Sequence, residues 1–127
     1  EHQGAFRSGK RFVARLARRR DLAGLGEPKV RADGTYLITG GLGGLGLLTA
    51  KWLARRGARN LLLVGRRAPG ESAIPALAEL RQLGAEPRVA QADVNRAEDV
   101  RRLLDEAGRA GPPLRGVVHA AGLFDVG

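Results

Sequence analysis

The 127-residue chain has no cysteine, no methionine, a single tyrosine and only two histidines. Without cysteine there are no disulfides, thiolate nucleophiles or cysteine-ligated metals, and the chain suits a reducing compartment, so a cytoplasmic location is expected. His2 and His119 are too few for a histidine-rich metal site, and no metal is expected. No stretch approaches the length of a transmembrane span, and the N-terminal segment lacks the apolar centre of a signal peptide. No membrane partner follows from the sequence.

Acidic residues are also scarce where the chain begins. Residues 1–20 hold seven basic side chains against one acid, whereas residues 21–127 hold fifteen against twelve, so most of the net charge of +9 sits at the N-terminus. The run Arg18-Arg19-Arg20 admits a phosphate-rich partner. Only Phe6 and Phe12 lie near enough to stack on bases, and no nucleic-acid motif accompanies them. The run therefore reads as a solvated segment, with no nucleic-acid partner. In the same region Phe12, Ala14 and Leu16 alternate with Val13 and Arg15, which predicts a short strand, and Leu22 to Lys29 reads as a Gly- and Pro-bearing linker.

What the chain has in quantity is glycine at one place. Thr35-Tyr36-Leu37-Ile38-Thr39 has the composition of a buried strand, and Asp33-Gly34 supplies a turn ahead of it. Gly40, Gly41, Gly43, Gly44 and Gly46 follow within seven residues. From Leu45 the apolar spacing becomes helical: Leu45, Leu48, Thr49, Trp52 and Leu53 share one stripe, and Arg55-Arg56-Gly57 ends the helix. The spacing fits Gly-x-Gly-x-x-Gly at Gly41, Gly43 and Gly46, and equally Thr-Gly-x-x-x-Gly-x-Gly from Thr39 and Gly40 through Gly44 to Gly46. A helix N-terminus exposes unpaired N–H groups and a partial positive charge, and glycines let a diphosphate approach the backbone. A strand before and a helix after are the context this fingerprint requires.

Three further strand signals follow. Asn60-Leu61-Leu62-Leu63-Val64 is a continuous apolar run, as in a parallel strand covered on both faces. It leads into Gly65-Arg66-Arg67, where an NAD-binding unit commonly carries an acid for the ribose hydroxyls. Two arginines there attract a 2′-phosphate instead, which points to NADP. Ser72 is placed to cap a helix reaching about Leu83, with Pro75 in its first turn, Gly84 beyond its end, and Ile74, Leu77, Leu80 and Leu83 as its apolar positions. Pro87 to Ala92 reads as a third strand ending in Asp93-Val94; Asn95 with Glu98 resembles a capping box, and Val100, Leu103, Leu104 and Ala107 keep helical spacing. Leu114 to His119 is the fourth strand, leading into Ala120-Ala121-Gly122. The alternation predicts an α/β protein: part of a Rossmann-like, doubly wound parallel sheet of about four strands in the order 3-2-1-4, preceded by a short N-terminal strand segment.

Five of these features, in this order, resemble the short-chain dehydrogenase/reductases: Thr39 to Gly46, Arg66-Arg67, Asp93-Val94, His119 and Ala120-Ala121-Gly122. The wording Tyr36-Leu37-Ile38-Thr39-Gly40-Gly41, Leu63-Val64-Gly65-Arg66-Arg67 and Val117-Val118-His119-Ala120-Ala121-Gly122 is similar to the ketoreductase domain of polyketide synthases. Ala5 to Leu16 resembles the last strands of the structural subdomain that precedes that family's catalytic subdomain. The resemblance implies two units: residues 1–32 as the end of that structural subdomain plus a linker, and residues 33–127 as the N-terminal part of an NADP-binding Rossmann domain.

The resemblance also implies roles. Thr39, Gly40, Gly41, Leu42, Gly43, Gly44, Leu45 and Gly46 would hold the NADPH diphosphate, and Arg66, with Arg67, the 2′-phosphate. Asp93 and Val94 would border the adenine; Ala120, Ala121 and Gly122 would pass beside the nicotinamide ribose. His119 reads as a residue that tethers neighbouring backbone. The intact enzyme would reduce a β-ketoacyl thioester, carried by phosphopantetheine on an acyl carrier protein, alongside other domains of the same synthase. Phe124-Asp125-Val126 lacks the second Asp of the Leu-Asp-Asp segment found in many of these ketoreductases, which argues against the stereochemical outcome tied to that segment. The family's catalytic Lys, Ser, Tyr and Asn lie beyond the fourth strand, so no catalytic residue is assigned and the 127 residues alone are expected to be inactive. The other readings are a different NADP-dependent short-chain reductase and a non-catalytic NADP-binding fragment.

Overall fold

The computed structural model describes residues 4–16, 29–109 and 111–122. Its first element is a hairpin of β1 (Gly4–Arg7) and β2 (Lys10–Val13), which pairs Ala5 with Phe12 and Arg7 with Lys10. Ser8 and Gly9 join the strands with φ of 49° and 74°, the doubly positive pair that matches a two-residue hairpin turn to the strands' twist. The strand predicted over Phe12 to Leu16 is thus shifted: it covers Lys10–Val13 and stops where the ladder to Gly4 ends. Alternation marks extended backbone, but a strand also needs a partner. The basic run Arg18–Arg20, residues 22–28 of the linker, His2 and Phe124-Asp125-Val126 lie outside the described residues.

The main sheet holds β3 (Thr35–Thr39), β4 (Asn60–Gly65), β5 (Glu86–Gln91) and β6 (Leu114–His119), all parallel, in the order β5-β4-β3-β6. This is the predicted 3-2-1-4 arrangement. All five residues of β3 are buried, because it lies inside the sheet and is covered on both faces. Period-two alternation divides its side chains: Tyr36 and Ile38 join Leu61 and Leu63 on one face, Leu37 joins Leu62 and Val64 on the other. Pro87 sits in the edge strand β5, where a missing N–H costs no central ladder bond.

Helices α1 (Gly44–Arg55) and α2 (Ala73–Gln82) cover the first face, and α3 (Ala97–Arg109) the second. Both α1 and α2 end in the same way. Gly57, at φ 101°, donates to the Ala54 carbonyl while Ala58 donates to Leu53; Gly84, at φ 80°, donates to Arg81 while Ala85 donates to Leu80. These paired bonds satisfy orphan helix carbonyls and turn the chain directly into the next strand. Between the helices, Glu79 of α2 accepts from Lys51 at 2.6 Å and from Arg55 at 3.3 Å. No helix among the described residues is long and apolar enough to cross a membrane.

Only Leu53 of the expected stripe on α1 belongs to its buried face. Leu45, Leu48 and Trp52 are exposed, Trp52 under the Arg56 guanidinium at 4.7 Å, while Gly46, Ala50, Leu53 and Ala54 are buried. The helix start is held close by Gly46, which has no room for a side chain, and Ala50, Leu53 and Ala54 follow on the same face. In α2, Leu77 and Leu80 are buried but Ile74 is exposed; in α3, Leu103 and Ala107 are buried but Leu104 is exposed. Ser72 stands at the N-cap of α2 in helical conformation and makes no side-chain capping bond; Ala73 instead donates to the Gly70 carbonyl. The Asn95–Glu98 capping box is also replaced. Asn95 donates its N–H to Asp93 Oδ1 at 3.0 Å, Glu98 accepts from Arg96, and it is Asp99 that reaches back to the Asp93 N–H at 2.8 Å.

Urea unfolding separates the two faces of α1. Leu53→Ala is expected to cost about 2–5 kcal/mol, whereas Leu48→Lys on the exposed face stays within about 0.5 kcal/mol of the parent chain.

Candidate functional site

A cleft of about 810 Å³ opens at the C-terminal ends of the four parallel strands. Crevices at strand ends of this kind are where open α/β sheets bind ligands. Each strand contributes a loop: Gly40, Leu42 and Gly43 after β3, Gly65 to Ala68 after β4, Asp93 to Asn95 after β5, and His119 to Gly122 at the end of β6.

The glycine turn is shaped by three close backbone approaches. Gly40 has φ +64°, and a Cβ there would stand 2.6 Å from the Ala120 carbonyl oxygen. One on Gly41 would stand 2.7 Å from the Ile38 oxygen and 2.9 Å from Leu63 Cα. The tightest is Gly46, whose Cβ would come within 2.2 Å of the Gly40 oxygen. A Cβ on Gly43 would be 3.3 Å from that same oxygen, and one on Gly44 would meet nothing within 4 Å. Three glycines thus serve the protein's own packing. The other two are exposed at the start of α1.

That helix start is bare. Its N-cap is Gly43, which has no side chain to cap with, and its first turn carries no acid. The unpaired first-turn N–H groups and the positive dipole end therefore suit an anionic oxygen. Leu42 Cδ1 would lie 3.2 Å from a Cβ on Gly65, so the turn and the end of β4 touch; Gly41 also donates to the Val64 carbonyl at 3.0 Å.

Arg66 and Arg67 both line the cleft, both are exposed, and neither forms an ion pair with a described residue. The loop after β5 is held by Asp99 of α3 through the Asp93 N–H. That bond, with a hydrogen bond and charge from Arg102, holds the Asp99 carboxyl below the usual carboxylate range. Asp99 supports the cleft from beneath, and sequence reading misses it; the available signal is an acid in the first turn of α3.

Thr39 and His119 face each other across the β3–β6 ladder, with Thr39 Oγ1 2.7 Å from His119 Nδ1. Thr39 Oγ1 also accepts the Ala121 N–H at 3.3 Å, and Ala120 donates to the Thr39 carbonyl at 3.1 Å. The described bond of the His119 ring runs to the Thr39 side chain and not, as expected, to neighbouring backbone; Thr39 carries the backbone contacts.

Of the expected site residues, Gly40, Leu42, Gly43, Arg66, Arg67, Asp93, Val94, Ala120, Ala121 and Gly122 line the cleft together. Thr39, Gly41 and Gly46 are buried beneath it, and Gly44 and Leu45 lie on the exposed start of α1, where the Leu45 side chain projects into solvent. Asn95 and Ser72 also line it, although sequence spacing marks both only as helix caps. No cluster of three or more His, Cys, Asp or Glu able to hold a metal occurs among the described residues.

The model of the KR domain family matches residues 34–127. A 5-methyl-1-naphthoate synthase of Streptomyces sahachiroi is 39% identical over 136 residues, covering 97% of this chain and 7% of that protein. A phenolphthiocerol/phthiocerol polyketide synthase protein of Mycobacterium tuberculosis (strain CDC 1551 / Oshkosh) is 44% identical over 121 residues, covering 95% of this chain and 7% of its own length. Among solved structures, an A1-type ketoreductase superposes with a TM-score of 0.81 at 37% identity, and a C2-type ketoreductase from a modular polyketide synthase with 0.78 at 36%. Each of these two superpositions covers 98% of this chain and 26% of the other.

The glycine turn makes a checkable distinction. Gly46→Ala is expected to destabilise the chain by about 1–3 kcal/mol or prevent folding, since its added methyl meets backbone. Gly44→Ala is expected to fold as the parent does. Thermal melts followed by circular dichroism read both.

Proposed function

This chain belongs to the KR domain family, the ketoreductases of polyketide synthases, and from that membership we propose that its cleft binds NADPH. The observation that carries the reading is one cleft joining exposed Gly43, at the bare N-terminus of α1, to the two arginines after β4. These residues fit the cofactor. The first turn of α1 takes the diphosphate, Arg66 and Arg67 take the 2′-phosphate, Asp93 and Val94 border the adenine, and Ala120 to Gly122 border the nicotinamide ribose. When bound, NADPH supplies hydride to a ketone carbon.

Residues 33–127 are the cofactor-binding part of a ketoreductase, and residues 1–32 belong to a preceding structural unit. The separate β1–β2 hairpin and a family match beginning at residue 34 support that division. The chain spans 7% of the length of the two curated relatives described above, so the reaction of the whole protein is part of this proposal. It is reduction of a β-ketoacyl thioester, carried on an acyl carrier protein, to the β-hydroxyacyl form, within the cytoplasm and beside other domains of the synthase.

Ketone reduction also needs a proton donor for the developing alkoxide. The single tyrosine, Tyr36, lies buried within β3, and its hydroxyl accepts the Arg31 N–H at 2.7 Å. It cannot serve. Within these residues the site is a cofactor cradle, and the 127-residue chain is expected to show no sustained NADPH oxidation with a β-keto thioester. Steady turnover in a spectrophotometric assay would refute this.

Charge-assisted bonds to the 2′-phosphate contribute roughly 1.5–3 kcal/mol each, which predicts about a ten- to hundredfold preference for NADPH over NADH. Calorimetric titration checks it. The double variant Arg66→Ala with Arg67→Ala is expected to bind the two cofactors alike, and equal affinity in the parent chain sinks the phosphate assignment.

A further inference from the structure

His119 has a second edge that the tether to Thr39 leaves free. The Thr39 hydroxyl has one proton to give, and its described partners are the Ala121 N–H, which occupies a lone pair, and His119 Nδ1. Among these partners only Nδ1 can take that proton, so the buried hydroxyl is fully paired when Nδ1 is the acceptor. The ring proton then sits on Nε2. Thr39 is buried and paired with His119 in the parallel register, so the Nδ1 edge is held toward β3. His119 is itself exposed and lines the cleft.

We propose that His119 is a ligand-binding residue: its imidazole, held by Thr39 through Nδ1, carries its proton on Nε2 and donates a hydrogen bond from there to a ribose hydroxyl of the dinucleotide. This rests on the NADPH reading of the cleft. Sheet order identifies which half of the ligand it meets. Arg66 and Arg67 follow β4, on one side of β3, and His119 ends β6 on the other. With the 2′-phosphate held over β4, the ribose within reach of β6 is the one remote from that phosphate, on the nicotinamide side. Thr39 is a positioning residue, acting through the imidazole.

The test uses the full chain with 15N-labelled histidine. Nitrogen–proton correlation spectra of the ligand-free protein are expected to show His119 as the Nε2–H tautomer. Thr39→Ser should preserve the parent's Nδ1 resonance, and Thr39→Val should shift it, because the hydrogen bond at Nδ1 is lost. An Nδ1–H tautomer in the parent chain, or a Thr39→Val spectrum unchanged from the parent, overturns the proposal. Titrations then compare NADPH with adenosine 2′,5′-bisphosphate, which lacks the nicotinamide half. His119→Phe is expected to weaken NADPH about tenfold, the loss of one hydrogen bond, and to leave the bisphosphate unchanged. His119→Asn, which keeps an N–H donor, should recover part of the difference. Equal weakening of both ligands by His119→Phe refutes the ribose contact alone. Failure of the parent chain to bind either compound refutes the NADPH reading and the contact with it.

Discussion

The contact on which the rest of the structure depends is the approach of α1 to the turn that precedes it. Gly46 sits so close to the Gly40 carbonyl that no side chain fits between them, and Gly40 in turn lies against Ala120 at the end of β6. Helix, turn and two strand ends are thereby fixed against one another through backbone alone. The bare N-terminus of the helix cannot tilt away from the cleft without separating these groups. A cleft built this way is preorganised, because its exposed backbone is held through Gly46, which does not line it.

Close approach also explains the surface of α1. A helix seated on Gly46, Ala50, Leu53 and Ala54 turns Leu45, Leu48 and Trp52 outward. The hydrophobic effect favours burying the larger side chains by about 1.5–3 kcal/mol each, yet the geometry of the turn overrides it. Covering the sheet with Leu48 or Trp52 would require α1 to move outward and the Gly46–Gly40 contact to open.

That conflict marks where sequence reading succeeds and where it stops. The strand order, the glycine turn and the arginines after β4 are legible because each rests on local chemistry: apolar runs, glycine spacing, charge at a strand end. The packing face of α1 is only partly legible from periodicity, since Leu53 fits both the stripe through Leu45, Leu48 and Trp52 and the one through Gly46, Ala50 and Ala54. Only the space beneath the helix chooses between them. The start of α3 is similar. Asn95 and Glu98 have the spacing of a capping box, but the Asn95 N–H that Glu98 would take is bonded to Asp93 Oδ1, and Asp99 instead accepts from the Asp93 N–H. The Thr39–His119 pair joins residues eighty positions apart, and no local pattern encodes it.

The twin glycine closures after α1 and α2 divide the molecule into ends with different freedom. On the side away from the cleft, Gly57 and Gly84 lead into strands with almost no spare residues, so an insertion there would advance the next strand by a place and turn its core side chains outward. On the cleft side the chain leaves each strand through loops that set no strand's phase. Length changes can accumulate there while the sheet keeps time. A scaffold with one end locked and the other loose can alter what it grips without altering how it folds.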